Sequence, residues 1–566
     1  MNAPFIKQLQ VGPMANFVYL IGDKEAGVCF VVDPAWDIPA ITSAAQEEGM
    51  TMRIVRYLII SICFLLSFVS AALVPEANAA SLQSLRSSVF KIIVTSNEPS
   101  FTEPWKRQPS SSSNGTGFYI GDNRILTNAH VVANASYIDI LRDGDAKPVQ
   151  AFVEFIAHDS DLAILVPSDK EFLKKVTPMR FGSLPRLRSP VATIGFPTGG
   201  EQVSITEGIV SRISYRRYVH HGRAEHLLVQ VDSAINPGNS GGPVVQGMRV
   251  VGVAFQSFTS AENTGYIIPN PVINRFLKDI EDGTYDGHQP DGISTMTSSL
   301  VNPSTAAYHG IDPGAPEGVV VTHVAEFAPA FSQILRSDVL TAIDGIGIGV
   351  DGKINFQGER VDFRTVYDLK LSGETVTFDV NRDSKQLKIS FKLDKLKPHH
   401  DDFNVYAKNA KYFVYGGLVF TTLSRSYLRT WGEKWFREAP YLLRFLDIYS
   451  PLATDFSGYT DFVIFSKRLP DAVNQHATGN QSSIVTKVNG KDIHSIQSLI
   501  DVIEGSKDPF LIIEFFDSNE PIVLATEDVR KRNQMILERY GVSPDRWTAG
   551  AEIDGALTVG TVGSSK

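Results

Sequence analysis

Residues 229–246 read VQVDSAINPGNSGGPVVQ. Two short β-branched runs flank a turn crowded with Asn, Pro and Gly, which is the pattern of strand, tight turn and strand. Ser240 sits in the middle of that turn. The glycines around it allow backbone conformations closed to other residues, so that amide N–H groups can converge on one point. Working back along the chain, two further segments start or end on strands: Leu126-Thr127-Asn128-Ala129-His130 and Asp161-Leu162-Ala163-Ile164-Leu165. The order is His, Asp, Ser. Acyl transfer needs a hydroxyl activated by an imidazole that a buried carboxylate holds in one tautomer, and all three groups are present.

Around these segments, residues 89–268 form short β-branched or aromatic runs separated by Gly, Pro, Asn and Asp turns, the spacing of a β-sandwich or barrel. Ser110 to Ser113 read as part of a flexible polar loop. Residues 271–281 read as a closing helix and 282–292 as a linker. Residues 293–397 then place strands around two helices, as a small α+β module does. Residues 405–545 repeat that order, with a long insertion carrying Trp431 and Trp435, and 546–566 form a tail. The expected architecture is mainly β: a β-rich domain over 81–285 followed by two copies of one small fold.

At 566 residues the chain is too long for a single core, given roughly 150 residues per domain. Its formal charge of −9 leaves no basic field for phosphate backbones, so nucleic acid is not an expected partner. Two cysteines, Cys29 and Cys63, exclude a disulfide scaffold and any four-cysteine metal site. Residues 52–80 have a basic start (Arg53, Arg56), an uncharged run over 57–74 and small residues at Ala77 and Ala79, the layout of a secretory signal peptide, with a retained anchor as the alternative. Either reading exports the chain beyond residue 80, to the periplasm or an equivalent compartment.

Within residues 1–51, 17–22 and 28–33 read as strands and 38–49 as a helix. The stretch QLQVGPMANFVYLIGDKEAGVCFVVDPAW resembles the opening hairpin of metallo-β-lactamase-fold hydrolases of the glyoxalase II type. Those enzymes depend on a later HxHxDH metal motif, and no histidine precedes His130, so this segment is expected to be a fragment without chemistry.

On the three segments above, residues 85–280 resemble the chymotrypsin-fold domain of the HtrA/Deg serine proteases. The two later modules resemble PDZ domains. EPWKRQ, IGFPTGGEQVSITEGIVSRI and YFVYGGLVFTTLS are similar to the two-PDZ Deg proteases, so the resemblance covers nearly all of residues 85–545. It implies a chymotrypsin-like double β-barrel followed by two PDZ domains. By position it makes Ser240 the nucleophile, His130 the general base and Asp161 the orienting carboxylate, with Asp159 as runner-up. The amides of Gly238 and Ser240 become the oxyanion hole. Ile235 lines the specificity pocket, and the substrate pairs with Val253, Ala254, Phe255 and Gln256. An apolar Ile235 favours aliphatic residues at the cut site. No cofactor or metal is implied. The expected partners are unfolded or damaged proteins, peptide C-termini at the first PDZ domain, and further copies of the chain in trimers or their multiples.

For the peptide-binding loop of the first PDZ domain the best match is Tyr308-His309-Gly310-Ile311, before the strand run at 319–322. His220, His221 and His226, with Arg212, Arg216, Arg217 and Arg223, fall where the family has a loop sensing PDZ occupancy; a solvated hairpin is the alternative, and histidines there would respond near pH 6.5. His399, His400, Asp401 and Asp402 suggest metal, but adjacent ligands cannot all face one ion, so a linker is expected. The rival function from another class is a holdase-type chaperone or PDZ scaffold with a vestigial triad.

Overall fold

The computed structural model describes residues 5–11, 16–32, 38–52 and 85–548, apart from 199, 201, 258–264, 288–294, 301, 313, 315–316, 326–327, 395–400, 451–455, 457 and 517. The signal-like run, His399, His400 and the C-terminal tail therefore lie outside the described residues.

The chain divides into two units, Met1–Ala80 and Ser81–Lys566. In the first, strands Phe5–Val11, Asn16–Asp23, Val28–Val32 and Thr51–Met52 form one sheet in sequence order, beside helix Ile38–Glu47. Val18, Leu20, Cys29, Ile41 and Met50 are its core. The strand Phe5–Val11 has no counterpart in the sequence reading.

The second unit opens with a closed six-stranded barrel made by Val89–Ser96, Ser111–Gly121, Arg124–Thr127, Ala135–Arg142, Val149–Ala157 and Leu162–Pro167. Alternate side chains (Phe90, Ile92, Val94, Ile138, Ile140) point inward, the two-residue period of a strand. The serine run is not a loop. Ser111 to Ser113 pair with Ser96, Thr95 and Val94, so backbone pairing overrides the low β-propensity of serine. A second barrel follows. Its strands run Arg249–Ser257, Pro243–Gln246, Pro190–Gly195, Ser204–Arg217, Glu225–Val231 and Gly265–Pro269, and the last pairs back to the first. Helix Asn270–Asp279 closes it.

The first PDZ module is a sheet in the order Thr295–Ser299, Val319–Val324, Val339–Ile343, Thr375–Arg382, Lys385–Lys392. Its core (Val321, Ile334, Phe363, Tyr367, Phe378) is continuous with that of the second barrel, so the two are joined by buried apolar surface rather than by a tether alone. The expected linker is pinned too: Tyr285 donates to Asp159 Oδ1 at 2.5 Å. The second PDZ module has a seven-strand path ending in Arg546–Trp547, so it extends past the expected boundary at 545. Its insertion folds as short helices around Leu428, Leu443 and Phe462, with Trp431 and Trp435 packed against them.

Candidate active site

His130 is the second residue of a one-turn helix, Ala129–Val132, just after the strand Arg124–Thr127 of the first barrel, and Asp161 precedes the strand Leu162–Pro167 that pairs with that strand. This pairing brings the two together. Asp161 is fully buried; its Oδ2 lies 2.6 Å from His130 Nδ1, and its Oδ1 accepts the His130 amide at 2.7 Å. A carboxylate at Nδ1 fixes the proton there and leaves Nε2 as the acceptor that a nucleophilic hydroxyl needs. Burial pushes the Asp161 carboxyl upward, while the His130 ring and the amides of His130 and Ala129 pull it back. Asp161 sits at φ +53°, a left-handed conformation that a non-glycine residue adopts only under surrounding constraint. One such constraint is the Asn128 side chain, which donates to the Asp161 carbonyl at 2.9 Å.

Asp159, the runner-up, points elsewhere. It accepts the hydroxyl of Tyr285 and the amide of Ser160.

Ser240 is presented by the turn before strand Pro243–Gln246 of the second barrel. Its hydroxyl donates to the carbonyl of Phe255 at 3.2 Å, and the Phe255 ring centroid is 6.3 Å from that of His130. Gly238 (φ +96°) and Gly241 (φ +84°) shape the turn: a Cβ on Gly238 would lie 2.3 Å from the Phe196 carbonyl, and one on Gly241 2.1 Å from the Thr116 carbonyl. Among the described residues the amides of Gly238 and Ser240 have no hydrogen-bond partner. They are available to an incoming oxyanion.

Thr116, which the sequence reading missed, ties the two barrels together at this turn. Its amide donates to the Ser240 carbonyl (2.8 Å), its hydroxyl donates to the Gly238 carbonyl (2.7 Å) and accepts the Phe196 amide (2.9 Å), and its carbonyl accepts the Thr127 hydroxyl (2.7 Å). The Gly115-Thr116-Gly117 run inside a strand, where side chains must be small, is the signal that marked it.

Ile235 is buried, and a Cβ on Gly265 would lie 2.7 Å from its Cδ1. The substrate-strand expectation needs correction. Val253 is paired on both sides, with Pro243 and Ile268, and Ala254 exchanges bonds with Gly241 and Gly242 while pairing with Ile267. Neither has a free edge. Pairing with the strand Pro243–Gln246 ends at Val253, so among the described residues that side is open to a substrate backbone only from Phe255 onward.

The histidines are not on a solvated hairpin. His220, His221 and His226 are 8%, 6% and 0% exposed. Burial lowers His221 to about 4 and His220 well below its usual range, whereas His226 is raised: burial opposes its charge, but the Asp368 carboxylate and Asp159 outweigh it. None of the three therefore stays at its ordinary value near pH 6.5. His226 packs on Asp368, the Asp159 carbonyl and Tyr218, whereas His220 and His221 are covered by the segment after the first PDZ module. Asp402 pairs with Arg223, Phe403 stacks on His221, and Asn404 donates to the His220 carbonyl at 2.7 Å.

Tyr308-His309-Gly310-Ile311 is not an open peptide-binding loop. Tyr308 is the last residue of helix Pro303–Tyr308, and Ile311 packs with Leu300, Ala306 and Val320. The edge strands of that sheet are Thr295–Ser299 and Lys385–Lys392.

A trypsin-like peptidase domain family matches residues 115–253, and a PDZ domain family matches 402–548. The chain is 33% identical over 483 residues to "Protease Do-like 4, mitochondrial" of Arabidopsis thaliana, covering 83% of this chain and 87% of that one. It is 33% identical over 473 residues to "Protease Do-like 2, chloroplastic" of the same plant, covering 82% and 75% respectively. A "Serine protease DegP homolog" of Plasmodium falciparum is 26% identical over 599 residues, covering 81% of this chain and 67% of that one. Among solved structures, "HtrA-type protease AlgW with decapeptide" aligns at 21% identity and a TM-score of 0.43, over 57% of this chain and 99% of that one. With the His130–Asp161 pair and the Ser240 turn built on a double barrel, the chain belongs to the HtrA/Deg (Do-like) family of serine endopeptidases.

Proposed function

We propose that this chain is an exported, ATP-independent endoprotease for unfolded or damaged proteins, with Ser240 as nucleophile, His130 as general base and Asp161 as its orienting carboxylate. The observation that carries this reading is the 2.6 Å bond from His130 Nδ1 to the fully buried Asp161, with Ser240 beside Phe255 at the barrel junction. For attack, the Ser240 hydroxyl leaves the Phe255 carbonyl and turns to His130 Nε2, a bond of the kind that tightens when substrate binds. Nε2 takes the proton as Oγ adds to the scissile carbonyl. The oxyanion that forms is met by the amides of Gly238 and Ser240. His130 then protonates the leaving amine, and water repeats the sequence on the acyl-enzyme.

The substrate backbone lies beside Phe255 and Gln256, and Ile235 selects aliphatic side chains. Such side chains are buried in folded proteins and reachable in unfolded ones. Export rests on Arg53, Arg56 and the uncharged run after them, and self-assembly in trimers rests on the family resemblance. The test is casein hydrolysis together with fluorophosphonate labelling. Wild type should do both and Ser240→Ala neither; hydrolysis by Ser240→Ala would overturn the assignment.

A further inference from the structure

Two further imidazoles stand around the catalytic carboxylate, the nearer, His220, with its ring centroid 6.1 Å from that of His130. His220 Nε2 lies 4.0 Å from Asp161 Oδ1, too far for a hydrogen bond but close enough to exclude water. His158 Nδ1 is 2.9 Å from the same His220 nitrogen. One aromatic ring covers both: Tyr406 stacks on His220 at 4.1 Å and 17° and on His158 at 4.8 Å and 25°. The Tyr406 hydroxyl donates to the His220 carbonyl at 2.7 Å, and the next amide, that of Ala407, donates to Asn134 Oδ1 in the first barrel at 2.6 Å. Tyr406 belongs to neither barrel. It lies at the start of the second PDZ module, ahead of that module's first strand, Tyr412–Tyr415.

We propose that Tyr406 is a positioning residue for proteolysis: its ring clamps the His158–His220 pair that seals Asp161 from water, so the segment entering the second PDZ module holds the catalytic carboxylate in its working geometry. The proposal rests on Asp161 being the carboxylate of the triad. A dry carboxylate holds the His130 ring more firmly than a hydrated one, because each bond it makes is stronger in a low-dielectric surrounding. The clamp also keeps charge away. His220 is faced by His158, His130, His221, Arg429 and Asp161, and His158 by Asp159, Lys408 and His220. Under the Tyr406 ring, burial holds His158 down at about 4 and His220 well below 6.5, so both are neutral at working pH. Uncovered, they would return toward about 6.5 and bring positive charge next to the base below that pH.

The test compares Tyr406→Leu and Tyr406→Phe in the full chain, with a fluorogenic peptide substrate, across pH 5.5–9. Leu keeps apolar volume but cannot stack. It should lower kcat on the order of 10- to 100-fold with KM little changed, as small displacements of catalytic groups do. The acid-side fall of kcat/KM should begin at higher pH and be steeper than in wild type. Phe keeps the stack and loses only the hydroxyl bond, so it should recover to within about threefold of wild type, about the loss of one modest hydrogen bond. A folded Tyr406→Leu enzyme with wild-type kcat and pH profile overturns the proposal. If Tyr406→Leu does not fold, His158→Phe decides: it keeps a ring under Tyr406 but removes the bond to His220, so unchanged kcat refutes the clamp and a fall in kcat supports it. Asp161→Asn, run in parallel, separates the two claims. Full activity there sinks the triad reading itself, whereas an inactive Asp161→Asn beside a wild-type-like Tyr406→Leu sinks only the clamp.

Discussion

Replacing Asp368 by Asn probes the joint between the protease and the first PDZ module. The ring of His226 lies between the Asp368 carboxylate, at 3.0 and 3.1 Å from Nδ1, and the Asp159 carbonyl, 2.9 Å from Nε2. Both partners are acceptors, so both nitrogens carry protons and His226 is an imidazolium, 0% exposed beside an Asp368 that is 1% exposed. Removing one member of a buried pair leaves an uncompensated charge and costs about 3–5 kcal/mol. The Asn oxygen still accepts one bond, which places the expected loss near 3 kcal/mol, about a hundredfold in the unfolding equilibrium. For a cooperative unit of the size of Ser81–Lys566 that is a fall of about 3 °C in midpoint. The sign with pH follows from the raised pKa of His226: its stabilisation is complete below the unfolded value of about 6.5 and disappears as pH rises through the folded value. The gap between wild type and Asp368→Asn should therefore be widest near pH 6 and narrow by pH 9. Calorimetry at both pH values, with His226→Gln completing a double-mutant cycle, measures it. A loss under about 1 kcal/mol at pH 6, a gap that widens with pH, or additive single effects would refute the charged pair.

The remaining expectations concern the site itself. Asp161→Asn should lower kcat by roughly 10⁴, since it loses the carboxylate that fixes the His130 tautomer, while Asp159→Asn, whose partners are Tyr285 and Ser160, should stay within about tenfold of wild type; equal losses in steady-state assays would undo the choice between them. Gly241→Ala should abolish both activity and fluorophosphonate labelling, because the new Cβ would meet the Thr116 carbonyl at 2.1 Å; a labelled, active variant would show that the turn is not constrained as described. Mass spectrometry of casein digests should find cuts after Val, Ala, Ile or Leu, and a dominant Lys or Arg preference would contradict the role given to Ile235.

Local pattern made most of this legible. The period of two set the barrel strands, and residues with few substitutes, a Ser among glycines and the His and Asp at strand ends, marked the site. The failures have two causes, one local and one long-range. Tyr308-His309-Gly310-Ile311 imitates a peptide-binding loop, but Asn302 before Pro303 is a helix start, its side chain accepting the Ser304 amide at 2.9 Å, and it puts Tyr308 on the last turn of that helix. That signal was present and local. Val253 and Ala254 were misjudged because their second partners, Gly241, Gly242 and Pro243, become visible only once the turn has folded back on the strand. The polar hairpin 218–226 reads as solvated because the residues that bury it come some 180 positions later, as the Asn404 to His220 bond illustrates.

Those long-range contacts converge on one short loop. Asp161 is held at φ +53° in a segment whose neighbour Asp159 is fixed through its carbonyl by His226 and through its carboxylate by Tyr285. His226 is charged because of Asp368 in the first PDZ module, and His220 is enclosed because of Tyr406 on the way to the second. A left-handed aspartate costs on the order of 1 kcal/mol or more and persists only where the surroundings determine it. Here part of those surroundings is supplied by the modules that come after the protease domain in sequence. Truncation after residue 285 would therefore take away Asp368 and Tyr406 together, and with them the counter-charge of His226 and the ring that covers His220. The strand pairing that closes both barrels lies within residues 89–269, whereas the loop that carries Asp161 is also contacted, through His226 and His220, by residues of the later modules.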